Sequence, residues 1–102
     1  MVLVVAYVRS ARRTAVCQAL RGLKFTGWTV SDVIGHGHAA DGHGIQHVRF
    51  EIIVAAETVG ECTSAIAGAA CTGMNGDGMV FTLPVASLER ISDSSRARAA
   101  LR

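Results

Sequence analysis

The apolar stretches of the chain alternate between two spacings. Residues 2–8 are apolar without alternation and rich in β-branched side chains, which is typical of a central strand covered on both faces. In residues 11–23, Val16, Leu20 and Leu23 recur every three or four positions, with arginines between them. That spacing predicts an amphipathic helix. The same change of spacing occurs again in the second half of the chain, which indicates a repeated unit.

The predicted elements lead to one fold class. In chain order they are strand 2–8, helix 11–23, strand 27–34, strand 45–55, helix 58–70 and strand 79–85, with glycine-rich loops at 35–44 and 72–78. Two strand-helix-strand units with short connections fold as one antiparallel sheet with both helices on one face, the ferredoxin-like βαββαβ arrangement. The polar tail from Ser92 is expected to be loosely ordered.

Composition sets the size of the folding unit and indicates self-association. The chain has 102 residues, of which 50% are hydrophobic and 18% charged, so we expect a single folded domain over 1–102. Its mean hydropathy of +0.35 is high for a small protein that exposes much of its surface. Copies of the chain covering part of that surface would explain the excess. We therefore expect an oligomer.

Charge and cysteine content exclude several classes. A net charge of +2 is not the concentrated basic face of a nucleic-acid binder, so no nucleic-acid partner is expected. Residues 2–8 are too short an apolar run to insert in a membrane. The three cysteines, Cys17, Cys62 and Cys71, are odd in number and lack Cys-x-x-Cys spacing. They indicate buried, reduced thiols and a cytoplasmic location.

Four histidines, at 36, 38, 43 and 47, lie within twelve residues. A His-x-His pair on an extended segment presents both rings on one side and can ligate a transition metal. However, the loop lacks a nearby cysteine, and its glycines leave it poorly preorganised. A solvated loop is therefore the preferred interpretation, and a metal site at His36, His38 and His43 is the alternative.

The loop Thr72-Gly-Met-Asn-Gly-Asp-Gly78 carries the most informative pattern. Its glycines permit positive φ angles and inward-pointing amides, an arrangement that can hold an anion. It follows a helix and precedes a strand, the reverse of a dinucleotide-binding turn, and it has no P-loop lysine. An ordinary turn, in which Asp77 caps its own backbone, is equally compatible with these residues. Glu51, within an apolar strand, has either a structural role or a ligand contact.

No nucleophile stands in the strand–turn–helix context of a hydrolase, and no nucleophile–base pair is evident. We therefore expect no enzymatic activity.

Four segments resemble motifs of the PII signalling proteins. They are 26–37, 50–54, 72–81 and 88–91, which are similar to that family's second strand, third strand, B-loop with fourth strand, and C-loop. The most specific is Thr-Gly-Met-Asn-Gly-Asp-Gly-Met-Val-Phe at 72–81. The chain thus resembles a divergent PII-like protein with a shortened T-loop at 35–48, a B-loop at 72–78, and a C-loop and tail at 88–102.

The resemblance implies a homotrimer that binds adenine nucleotides in clefts between subunits. The T-loop would contact a regulated transporter or enzyme of nitrogen or inorganic-carbon metabolism. Backbone amides of Gly76 and Gly78 would face phosphate, and Arg90 would reach it from the adjacent subunit. The implied nucleotide-binding residues are Thr29, Gly35, Gly37, His38, Glu51, Ile53, Thr72, Gly73, Gly76, Asp77, Gly78, Met79 and Arg90.

This chain differs from the PII proteins at positions where that family has positively charged residues that bind phosphate. Two B-loop lysines are replaced by Met74 and Met79, an Arg-Gln pair by His38 and Ala39, and a C-loop arginine by Ser92. Each lost charge-assisted contact should weaken triphosphate binding. We therefore expect ADP or AMP to be favoured over ATP, with no metal required. Bicarbonate is an expected co-ligand if the chain is of the carboxysome or bicarbonate-associated type. A PII scaffold without a ligand is the remaining alternative.

Overall fold

The computed structural model describes residues 1–25, 27–37, 44–96 and 100–101. Its elements are β1 (Val2–Arg9), α1 (Arg13–Gly22), β2 (Thr29–Gly35), β3 (Ile45–Val54), α2 (Val59–Ala70) and β4 (Gly78–Pro84). The strands form one antiparallel sheet in the order β2-β3-β1-β4. The predicted ferredoxin-like βαββαβ fold is confirmed.

The core lies between the helices and one face of the sheet. Alternate residues of the two central strands point to this face, and Val4 pairs with Ile52 and Ala6 with Phe50. The buried side chains that pack together here are Val4, Ala6, Val8, Val16, Leu20, Val48, Phe50, Ile52, Val54, Cys62, Ile66 and Ala70. Both helices contribute to this one cluster, so both cover the same face of the sheet.

The element boundaries differ slightly from the predicted ones. A 3-10 turn precedes each helix, at Ser10–Arg12 and at Ala56–Thr58, so the helices begin later than expected. Helix α1 ends at Gly22, before Leu23, and Lys24 then takes a positive φ of 71°. Pairing between strands β2 and β3 starts at Thr29. Apolar spacing locates an element, but its ends depend on hydrogen bonds that the spacing does not report.

The second face of the sheet carries no helix in the described part of the chain. We call it the open face; its central residues are Leu3, Val5, Tyr7, Arg49, Glu51, Ile53, Met79, Phe81 and Leu83. The prediction that β1 is covered on both faces therefore holds in part: no residue of β1 is exposed and Val5 is fully buried, but no helix packs on the open face in the described residues. Met79, Phe81 and Leu83 are 65%, 39% and 44% exposed.

Two further predictions concern helices and thiols. Neither helix in the described residues is long and apolar enough to span a bilayer. All three cysteines are free thiols, but only Cys62 is buried, whereas Cys17 is partly buried and Cys71 is exposed. Burial raises the pKa of the Cys62 thiol to about 11. The expectation of buried thiols holds for Cys62 alone.

Candidate ligand-binding cleft

A cleft of about 720 Å³ opens between the glycine-rich loop and the base of the β2–β3 hairpin. Its lining residues are Tyr7, Val33, Ile34, Gly35, His36, Gly37, Ile45, His47, Asn75, Gly76, Gly78 and Met79. Five of them were predicted from the sequence as ligand contacts: Gly35, Gly37, Gly76, Gly78 and Met79. The fold thus brings together two glycine segments that lie about forty positions apart in the chain.

The glycine-rich loop depends on the conformational freedom of its glycines. Gly73, Gly76 and Gly78 have φ angles of 80°, 87° and 113°, as the sequence predicted. Gly78 is also sterically restricted, because a Cβ there would lie 1.7 Å from the carbonyl oxygen of Tyr7. Any larger residue at this position would have to displace β4 from β1.

Asp77 holds the loop closed on itself. Its Oδ2 accepts hydrogen bonds from the amides of Thr72 (2.7 Å) and Gly73 (3.0 Å), and its Oδ1 accepts one from the Thr72 hydroxyl. Arg9 adds an ion pair, with Nε 3.2 Å from Oδ1. The Thr72 hydrogen bonds, with those from Arg9 and Gly73, lower the pKa of Asp77 to about 2. Asp77 therefore caps its own loop, and the amides of Thr72 and Gly73 are engaged by it.

Two other residues of the loop, Asn75 and Gly76, are held through their carbonyl groups. Arg9 Nη2 donates to the carbonyl oxygen of Asn75. The ring Nε2 of His47 lies 2.9 Å from the carbonyl oxygen of Gly76, and its Nδ1 lies 2.9 Å from that of Ile45. His47 is only 6% exposed. One side chain therefore contacts both the loop and the first residue of β3.

Comparison with known proteins identifies the family. The family model described as Nitrogen regulatory protein P-II matches residues 1–95. This chain belongs to the P-II family. The P-II homolog of Arabidopsis thaliana is 34% identical to this chain over 107 residues. The alignment covers 93% of this chain and 55% of that protein, so this chain spans about half the length of that relative. The P-II protein of Rhizobium etli is 31% identical over 102 residues, covering 89% of this chain and 91% of that protein.

A solved structure supports the same assignment. The crystal structure of Arabidopsis thaliana PII bound to citrate matches with a TM-score of 0.88 and 35% identity, covering 97% of this chain and 90% of that one. The resemblance inferred from the four sequence segments is therefore confirmed at the level of the family. The carboxysome or bicarbonate-associated type stays a prediction.

Several residues that the P-II resemblance implies lie away from the cleft in a single chain. Thr29 and Glu51 are register partners on the open face, and Ile53 lies two residues further along β3. Glu51 also faces Arg49, with Nε 3.2 Å from Oε1. Their contact with a ligand stays a prediction.

Arg90 lies in the C-terminal segment. It donates to the carbonyl oxygen of Ala100 at 2.8 Å and lies 3.7 Å from a carboxylate oxygen of Asp93. It therefore makes local contacts within its own chain. The implied role from an adjacent subunit is untested.

The histidine cluster is only partly described. His36 lines the cleft, whereas His38 and His43 lie outside the described residues. Among the residues that are described, no three His, Cys, Asp or Glu side chains form a metal-binding group. The metal alternative through His36, His38 and His43 stays a prediction, as does the ligand role of His38.

The sequence did not identify Arg9 and His47 as residues that position the loop. Alternation along β1 and β3 places both of them on the same face of the sheet as Tyr7. The sequence therefore could have shown that Arg9 and His47 lie on the same face of the sheet, but not what they contact. Their pairing with the loop depends on a strand register that the chain does not reveal by itself.

Proposed function

We propose that this chain is a non-catalytic P-II regulatory protein that binds an adenine nucleotide in the cleft. The main support is that the cleft joins the glycine-rich loop to the base of the β2–β3 hairpin. A ligand in the cleft contacts both segments at once and can therefore change the position of the hairpin. We place the protein in the cytoplasm, on its composition.

The chemistry of the cleft favours a weakly charged nucleotide. No Lys, Arg, Asp or Glu is among the described lining residues, and the only ionisable rings with basic nitrogens are His36 and His47. Apolar side chains from Val33, Ile34 and Ile45 suit a base or ribose, and the backbone of the glycine-rich loop offers polar groups. We therefore propose ADP or AMP rather than ATP, without a required metal.

We further propose that the cleft is completed by a neighbouring copy in a homotrimer. The open face leaves Phe81 and Leu83 substantially exposed, and Ile91 beyond β4 is 97% exposed. Side chains of this size are usually covered in a small protein's assembled state. Arg90 from the adjacent copy is the residue we propose to reach phosphate.

The regulated partner is proposed to be a transporter or enzyme of nitrogen or inorganic-carbon metabolism. We propose that the partner contacts residues 35–48, because this end of the β2–β3 hairpin adjoins the cleft. Bicarbonate is a proposed co-ligand. The Arabidopsis PII of the solved structure is bound to citrate, so citrate is a useful comparison anion.

Calorimetry with ATP, ADP, AMP and cyclic AMP, each with and without magnesium, tests the proposal. ADP or AMP is expected to bind at least as tightly as ATP. No heat from any of the four would overturn nucleotide binding, and a clear preference for magnesium-ATP would overturn the ligand assignment. Bicarbonate and citrate are titrated separately to detect anion binding.

Substitutions at Met79 give matched variants, because its side chain lines the cleft and is 65% exposed. Met79→Lys adds a cation beside the ligand and should shift preference towards ATP. Met79→Glu should weaken every nucleotide, and Met79→Gln controls for the loss of the thioether. Equal affinities in the Lys and Glu variants would show that the nucleotide lies elsewhere.

A further inference from the structure

The His47 ring lies between two groups of the same kind. Nδ1 and Nε2 each lie 2.9 Å from a backbone carbonyl oxygen, one at Ile45 and the other at Gly76. Both partners are acceptors only. The ring is 6% exposed, and it packs against Gly35 so closely that a Cβ there would lie 2.7 Å from Nδ1.

The charge state of the ring decides how many of these contacts are hydrogen bonds. A neutral imidazole carries one N–H, so its other nitrogen would present a lone pair to a carbonyl oxygen. An imidazolium carries two N–H groups and donates to both oxygens. In a site with little access to water, an unpaired carbonyl and an unpaired ring nitrogen are both unfavourable. The observed geometry therefore fits the protonated ring.

The charges around His47 are themselves paired. Arg9, its register partner on β1, is neutralised by Asp77 of the loop. Arg49, next on the same face of β3, pairs with Glu51. His36 of the hairpin and Tyr7 of β1 line the same cleft, and the facing β2 residues, Val33 and Gly35, carry no charge. The described surroundings thus place no unpaired carboxylate beside the ring.

We propose that His47 is a positioning residue that fixes the Gly76 carbonyl of the glycine-rich loop relative to the Ile45 carbonyl of β3 only when it carries a proton. In the protonated state the two hydrogen bonds fix the Gly76 carbonyl relative to Ile45. Loss of that proton removes one of the two hydrogen bonds, so the Gly76 carbonyl is no longer fixed relative to Ile45. The doubly bonded state is therefore complete at low pH and declines with increasing pH.

Nitrogen NMR of the ¹⁵N-histidine-labelled protein tests this link without any ligand. At pH 5 both ring nitrogens of His47 should carry protons, and the amide signals of Gly76 and Gly78 should shift with the same midpoint as the ring. Asp77, with a pKa of about 2, does not titrate in this window. A His47 ring that keeps one unprotonated nitrogen at pH 5, or loop signals that ignore the ring, would overturn the proposal.

His47→Gln supplies the matched variant, because an amide has a donor but no charge to lose. Its Gly76 and Gly78 signals should stay constant between pH 5 and 8.5, and a shift equal to that of the wild type would contradict the proposed link. The wild-type titration decides the question even if this variant does not fold.

The effect of His47 protonation on nucleotide affinity rests on the proposed function, and it is measured in a separate experiment. Cyclic AMP is the probe, because its phosphate keeps one charge throughout this range. Its affinity should fall about tenfold between pH 5.5 and 8.5, equivalent to about 1.4 kcal/mol, and should be nearly flat in His47→Gln. A pH-independent affinity in the wild type contradicts the coupling. Absence of binding at every pH contradicts the nucleotide function, whereas the NMR result still decides the link.

Discussion

Arg9 and His47 face each other across the central strands β1 and β3, and together they hold three consecutive loop residues. Arg9 binds the Asn75 carbonyl and the Asp77 carboxylate, and His47 contacts the Gly76 carbonyl. The loop is therefore positioned by the most interior pair of strands. Its geometry therefore depends on the strand register as well as on its own glycines and Asp77.

Asp77→Asn should destabilise the protein in a pH-dependent way. The pKa of Asp77 is lowered to about 2 in the folded protein, so its charged form stabilises the fold above pH 4 and this contribution is lost as the pH falls towards 2. We expect a lower thermal midpoint for the variant at pH 7, and a difference from wild type that shrinks in acid. Thermal unfolding between pH 2 and 7 measures it.

Asp32→Asn is the control for that experiment, because Asp32 is an exposed carboxylate on β2. It should leave the midpoint nearly unchanged at every pH. If Asp77→Asn differs from wild type by the same amount at pH 2 and pH 7, the carboxylate does not stabilise the loop as described.

Gly78→Ala should be strongly destabilising. The φ of 113° alone costs an L-residue about 1–3 kcal/mol, and the added Cβ would collide with the Tyr7 carbonyl. Gly68→Ala is the matched control, since Gly68 lies in helix α2 with no atom within 4 Å of its Cβ position. That change should raise stability by about 0.5–1 kcal/mol. Denaturant unfolding of both variants compares them, and equal effects would contradict the close approach of β1 to Gly78.

Gly35→Ala should displace the His47 ring. The new methyl group would lie 2.7 Å from Nδ1, so the ring must move away from the Ile45 carbonyl. Gly37→Ala is the control in the same cleft, because its Cβ position has no neighbour within 4 Å. NMR shifts of the His47 ring and of Gly76 should change in the first variant only. Unchanged ring signals in Gly35→Ala would show that the contact is absent in solution.

Leu83→Glu should reduce self-association. Leu83 is a 44% exposed residue of the open face, where a carboxylate would oppose burial against another copy. Light scattering of the eluting protein should give a trimer for the wild type and a smaller species for this variant. Gln18→Glu, on the exposed side of α1, should remain trimeric. A monomeric wild-type protein would remove the shared cleft from the proposed function.

The fold was predictable from the sequence because its signals are local. The three- and four-residue spacing of Val16, Leu20 and Leu23 predicted α1, and the apolar run at 2–8 predicted a central strand. The positive φ angles of Gly73, Gly76 and Gly78 followed from composition for the same reason. The role of His47 did not, since it depends on carbonyl groups supplied by residues 45 and 76.

The β2–β3 hairpin remains paired up to Gly35 and Ile45, so its connection comprises only residues 36–44. At the base of the hairpin, the His47 ring contacts the carbonyl oxygens of both Ile45 and Gly76 and so connects the hairpin to the glycine-rich loop. In the proposed function, the ligand cleft and the hairpin assigned to the partner are therefore joined through one side chain.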